Sequence, residues 1–205
     1  MSDPKAPMST EVHKIVVKFY AEPGTEPPHD QVVPALHSWI QQQKVSDHML
    51  VDVADYAHVH NGPGTVLVAH EANFYVDRFD GTLGLSYSRK QPAGGAFRDR
   101  LRQAFTAALE GCARLEDDPR LSIRFRADEV SIKLNDRLLA PNTPATFEAV
   151  RGDIEAVAKQ IFAGADVELE HYQGEKTLFE VRLRITPPPP NIAVLLSRLE
   201  ATATA

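Results

Sequence analysis

Ile15, Val17 and Phe19 alternate with Val16 and Lys18, the two-residue period of a strand with one buried face. The same period predicts a strand over residues 49–60 and a partner over 66–70, with Asn61-Gly62-Pro63-Gly64 as the turn between them. A second hairpin turns at Asp80-Gly81, where pairing Phe79 with Thr82 sets Val76 opposite Leu85 and Phe74 opposite Tyr87. Leu121, Ile123 and Phe125 alternate next, then Val130, Ile132 and Leu134 on the opposite parity, which predicts a bend near Ala127-Asp128. Strands are expected again over 166–172 and 178–185, around Gln173-Gly174.

Helical spacing fills the gaps. Asp30 is a candidate cap for a helix reaching Gln43, with Val33, Leu36 and Ile40 on one side. After Gly94-Gly95, the residues Phe97, Leu101, Phe105, Ala108 and Cys112 recur at the helical period. Asn142-Thr143-Pro144 opens what is expected to be the longest helix, whose stripe is Phe147, Val150, Ile154, Val157 and Ile161, with Gly164 as its stop. Beyond the stiff run Pro187 to Pro190, Ile192, Leu195, Leu196 and Leu199 predict a short docking helix.

The fold class is therefore α+β, with antiparallel hairpins packed against two long amphipathic helices. Residues 1–12 are expected to form a flexible tail, 13–186 a single domain, and 187–205 a Pro-rich spacer and docking helix. Helix, strand, turn and strand follow in the same order over 30–70 and 144–185, the pattern of a degenerate internal duplication.

With 205 residues, 43% hydrophobic and 24% charged, the chain has an ordinary globular composition and needs no staple to build a core. A net charge of −6 argues against a dedicated nucleic-acid binder. Cys112 is the only cysteine, so no intramolecular disulfide forms, and its place on an apolar helix face suits a small buried hydrophobe. No run approaches the roughly 18 apolar residues of a membrane span, and no apolar segment at the start resembles a signal-peptide core. A soluble, cytoplasmic protein is the expectation.

Asp55, His58, His60 and His70, with Tyr56 and Glu71 beside them, hold most of the chemical potential. Which of them meet depends on register, because side chains alternate between faces. If Asn61 pairs with Gly64, as the shared parity of the valines favours, Asp55 faces His70 on the apolar side and orients an imidazole as a general base. If Asn61 pairs with Thr65 instead, His58, His60 and His70 approach one another and form a candidate site for a divalent transition metal. The plain alternative is a structural Asp–His hydrogen bond and exposed histidines; no HExxH or CxxC supports a metal. Gly62 and Gly64 would let a main chain approach a ligand closely, although a simple turn explains them.

Arg89, Lys90, Arg98, Arg100 and Arg102 crowd the start of the helix after Gly94-Gly95. The positive end of the macrodipole falls there, so Arg98, Arg100 and Arg102 are candidate anion-binding residues. No nucleophile elbow, phosphate loop or dinucleotide fingerprint occurs.

Three functional classes follow. The first is a non-enzymatic binding or assembly protein of unnamed partner, with a homo-oligomer allowed. The second is a metal-binding or His-based enzyme centred on residues 49–71, and the third is an anion-responsive module. The core assignment is testable at once: Ile154→Ala should lower the unfolding free energy by about 2–5 kcal/mol in urea. A loss below roughly 1 kcal/mol would show that the helix face is assigned wrongly.

Overall fold

The computed structural model describes residues 11–43, 45, 47–60, 62–174, 177–189 and 191–203. In chain order its elements are β1 (Ile15–Ala21), α1 (His29–Gln42), β2 (Leu50–Tyr56), β3 (Gly64–Ala69), β4 (Ala72–Asp77) and β5 (Gly84–Arg89). There follow α2 (Phe97–Glu116), β6 (Phe125–Leu134), α3 (Pro144–Ile161), β7 (Asp166–Tyr172), β8 (Phe179–Thr186) and α4 (Ile192–Ala203). The strands form one 8-stranded sheet in the order β2-β3-β4-β5-β1-β6-β8-β7. Every neighbouring pair in it is antiparallel.

The chain is α+β, as its patterning predicts, and four helices of 14, 20, 18 and 12 residues pack with the sheet, so the helical layer is not confined to two long helices. Alternation fixes which face they cover. Phe19 meets Phe105 of α2 edge to face at 6.1 Å, and Phe74 meets Trp39 of α1 at 6.2 Å. Phe74 lies opposite Tyr87, and both belong to the face of Val17 and Phe19. His171 of β7, on the same face, stacks on Phe147 of α3. Gly111 lets α2 sit this close: a Cβ there would lie 2.6 Å from Leu85 and 3.3 Å from Phe74. α4 docks on α2 and α3, burying Ile192, Leu195 and Leu199.

Several local expectations change. α1 starts at His29 with Pro28 as its N-cap, so Asp30 lies inside the first turn, where it opposes the helix dipole without capping. Leu121 and Ile123 are buried but precede β6. The anticipated bend is a bulge: β1 pairs Phe19 with Val130 and Ala21 with Phe125, so β6 spends extra residues there and changes parity. Of the expected tail, residues 1–10 lie outside the described residues. Val12 is buried, and its carbonyl accepts the Arg100 Nε–H at 3.1 Å. Among the described residues, no helix is long and apolar enough to cross a membrane.

The two edges of the sheet differ. β7 carries Asp166, Glu168 and Glu170 outward, while β2 leaves Met49 and Val51 exposed beside it. On β2, the Asp52 carboxylate accepts the N–H of Val53 at 2.8 Å.

The face of the sheet away from the helices is polar, and its centre is Lys18, only 3% exposed. Its ammonium donates to Asp77 at 2.8 Å, to Asp80 at 2.6 Å and to the Thr82 carbonyl at 3.0 Å. Asp77 also accepts the N–H of Phe79 and the hydroxyl of Ser86, so one cluster ties β1 to both strands and the turn of the β4–β5 hairpin. Burial alone would raise the Asp80 carboxyl, but the Lys18 ammonium overcomes it and holds the group below its ordinary value. A depressed carboxyl stabilises the fold above its unfolded pKa and loses that contribution as pH falls through the folded one. Asp80→Asn should therefore be less stable than the wild type near neutrality. The gap should close as pH drops below about 3.9, measured as urea midpoints from pH 6 to 2.5. A gap that stays constant with pH would refute the ion-pair account.

Candidate functional site

β2 and β3 pair Tyr56 with Gly64, Asp55 with Thr65 and Val53 with Leu67, a register that matches neither of the two weighed from sequence. The strand ends at Tyr56, and turns follow it: Val59 donates to the Tyr56 carbonyl at 2.9 Å and Gly62 to the Val59 carbonyl at 2.8 Å, while Asn61, on which both expected registers turn, lies outside the described residues. The valine parity misled because Val59 belongs to this turn and is 44% exposed. Gly64 closes it at φ +68, pressed so near β4 that a Cβ would lie 2.1 Å from the Val76 carbonyl oxygen.

The consequences for the predicted chemistry are direct. Asp55 faces Thr65, whereas His70 follows the far end of β3, about 17 Å away along the strand. The Asp55–His70 dyad is not formed. His58 and His60 stand exposed in the turn at one end of β3 and His70 at the other, so the three-imidazole set is not assembled. Among the described residues, no group of three His, Cys, Asp or Glu side chains is placed to hold a metal ion.

Asp55 has a different imidazole beside it. His29, the first residue of α1, brings Nε2 to 3.5 Å from Asp55 Oδ1, which also accepts the Ala57 N–H at 3.0 Å. His29 of this pair lines a pocket of about 350 Å³ bordered by the Gly62–Gly64 turn. Val32 of α1, Val76 of β4 and Leu83 give it an apolar wall, and His29, Tyr56 and Arg78 supply polar groups. Arg78 is held by Glu26 at 2.5 Å. Each element contributes for a local reason: Pro27-Pro28 halts the chain before α1, the Lys18 cluster fixes Asp77-Arg78, and the glycines let the turn close beside it. Of the pocket's residues, sequence patterning had singled out Tyr56, Gly62 and Gly64. It missed His29, Glu26 and Arg78, which lie in loops or at an element's first residue, where no periodicity marks them.

The basic cluster disperses. Arg98 pairs with Asp153 of α3 at 3.0 Å, and Arg102 with Asp99 at 3.3 Å. Arg100 is 2% exposed and donates to the carbonyls of Val12 and Gly95. Asp99 itself accepts the Ala96 N–H at 3.1 Å, which places a carboxylate at the helix start reserved for an anion. Cys112 is fully buried, and burial raises its thiol well above the usual range.

His70 joins a different group of residues. Its N–H donates to the Met49 carbonyl at 2.8 Å, and Glu71 Oε2 accepts the Met49 N–H at 2.9 Å. Slight burial acts to raise the Glu71 carboxyl, but that N–H bond and the neighbouring His48 and His70 hold it below its ordinary value.

No protein-family model, curated protein or solved structure matches the chain.

The turn that borders the pocket depends on Gly64. Gly24→Ala, at φ +80 with nothing within 4 Å, should cost about 1–2 kcal/mol from backbone conformation alone. Gly64→Ala should cost roughly 1–3 kcal/mol beyond that, because a methyl group meets backbone that cannot move aside. Equal losses in urea unfolding would show that the close approach to Val76 is absent.

Proposed function

We propose that this is a small-molecule-binding protein whose ligand occupies the pocket beside the Gly62–Gly64 turn. The ligand would be amphipathic. Its apolar body would lie against Val32, Val76 and Leu83, and a hydrogen-bonding or anionic head would meet His29 and Arg78. The observation that carries this reading is a cavity of about 350 Å³ with an apolar wall and a few polar groups converging from separate elements. Its size lies within the usual range for small-ligand sites, and that mixture of linings is their common form. The approach of His29 to Asp55 supports an oriented imidazole available to bond the head group.

The place of the pocket in the fold favours the same reading. Counting outward from the β1–β6 pair, β5 and β4 on one side match β8 and β7 on the other. With β1 counted in the first set and β6 in the second, each has a helix after its first strand and another after its last. This supports an internal duplication in which α1–β4–β5, rather than residues 30–70, corresponds to α3–β7–β8. The β2–β3 hairpin is then the addition peculiar to the first half, and it is the hairpin that borders the pocket.

Anilinonaphthalene sulfonate, an apolar ring system with one anionic group, is a suitable probe. The native protein should bind it saturably with a rise in fluorescence. Ala57→Trp, an exposed substitution that fills the pocket, should weaken binding at least tenfold. Leu138→Lys, which removes the most exposed apolar side chain elsewhere, should leave binding unchanged. Binding that survives Ala57→Trp would overturn the assignment.

A further inference from the structure

The opposite end of the sheet holds a second cleft, of about 560 Å³, between the loop after α1, the end of β5 and the first half of α2. Its walls carry two guanidinium groups and an imidazole from three separate elements: Arg89, Arg102 and His48. His48 and Arg89 share a fixed point. Tyr87 is fully buried, and its phenol oxygen lies 3.0 Å from His48 Nε2 and accepts Arg89 Nη1–H at 3.4 Å. Arg89 Nε donates to the Gln91 carbonyl at 3.1 Å, so its side chain is held at both ends of the guanidinium. A guanidinium has five N–H donors, and these two bonds leave Arg89 with donors to spare. Arg102, 40% exposed, makes one 3.3 Å pair with Asp99 and likewise keeps most of its fork.

An arginine held this way loses little freedom when it binds, and the planar fork matches the paired oxygens of a carboxylate or phosphate. Asp47 and Glu110 line the same cleft. Glu110 lies two turns along α2 from Arg102, about 12 Å by helical rise. We propose that this cleft binds a small ligand through one oxyanion, a single carboxylate or phosphate group, held between Arg89 and Arg102. The anion site of this protein is then not the triplet at 98, 100 and 102 but one formed by the end of β5 together with α2.

Calorimetric titration at pH 7 with acetate and with inorganic phosphate, against chloride at matched ionic strength, tests the proposal. The wild type should bind at least one of the two saturably; acetate alone assigns a carboxylate, phosphate alone a phosphoryl group, and both the shared chemistry. Arg102→Gln and Arg89→Gln should each weaken that binding at least tenfold, the scale of a lost charge-assisted hydrogen bond. Arg102→Gln, on a half-buried helix position, serves alone if Arg89→Gln disturbs folding by circular dichroism. Ala57→Trp, at the other end of the sheet, should bind the anion normally, which separates this site from the pocket beside the turn. Absence of saturable binding by either anion, or affinity unchanged in Arg102→Gln, overturns it.

Discussion

The ammonium of Lys18 stands in the middle of the sheet, on the strand where its two halves meet, and is almost wholly removed from water. A charge in that position is tolerable only with close counter-charges and a full set of hydrogen-bond acceptors. Asp77, Asp80 and the Thr82 carbonyl provide them, and all three come from the end of one hairpin. The demand of one cation thus dictates where the β4–β5 turn lies relative to β1. Asp77 leads directly into Arg78, and the turn leads into Leu83, so the same demand positions two parts of the pocket lining.

Much of the fold was legible because burial imposes strict periods. Phe74, Leu85 and Tyr87 share a face as the Asp80-Gly81 turn predicts, and the observed pairs are those expected, Val76 with Leu85 and Phe74 with Tyr87. The stripe of Val150, Ile154, Val157 and Ile161 is buried along α3. Where the period is carried by residues that are not buried, it deceives. Val59 prolonged an apparent strand into a turn, and that error moved every cross-strand partner of Asp55. The true constraint was the contact between Gly64 and β4, which depends on a third strand and leaves no trace in local pattern.

Candidate chemistry was harder to read than fold, for a related reason. Side chains that share a site here come from elements distant in the chain: His29 reaches Asp55, and His48 reaches Tyr87. Sequence proximity favoured the wrong groupings. Arg98, Arg100 and Arg102 are neighbours in the chain, but the turn of α2 leaves Arg98 and Arg102 on one partly exposed face and sends Arg100 into the protein to bind the backbone at Val12. Arg89, two residues past the buried Tyr87, was visible only as part of that crowd.

The carboxylate of Asp52, folded back onto the amide of its neighbour Val53, has a consequence for how the protein behaves at high concentration. A sheet edge bearing Val51 and Met49 is a template on which another strand can add, and sheets that grow this way become fibres. Asp52 occupies one of the donors such an addition would need and sets a negative charge on the rim. That one carboxylate therefore guards the apolar edge of the sheet with both a charge and an occupied amide.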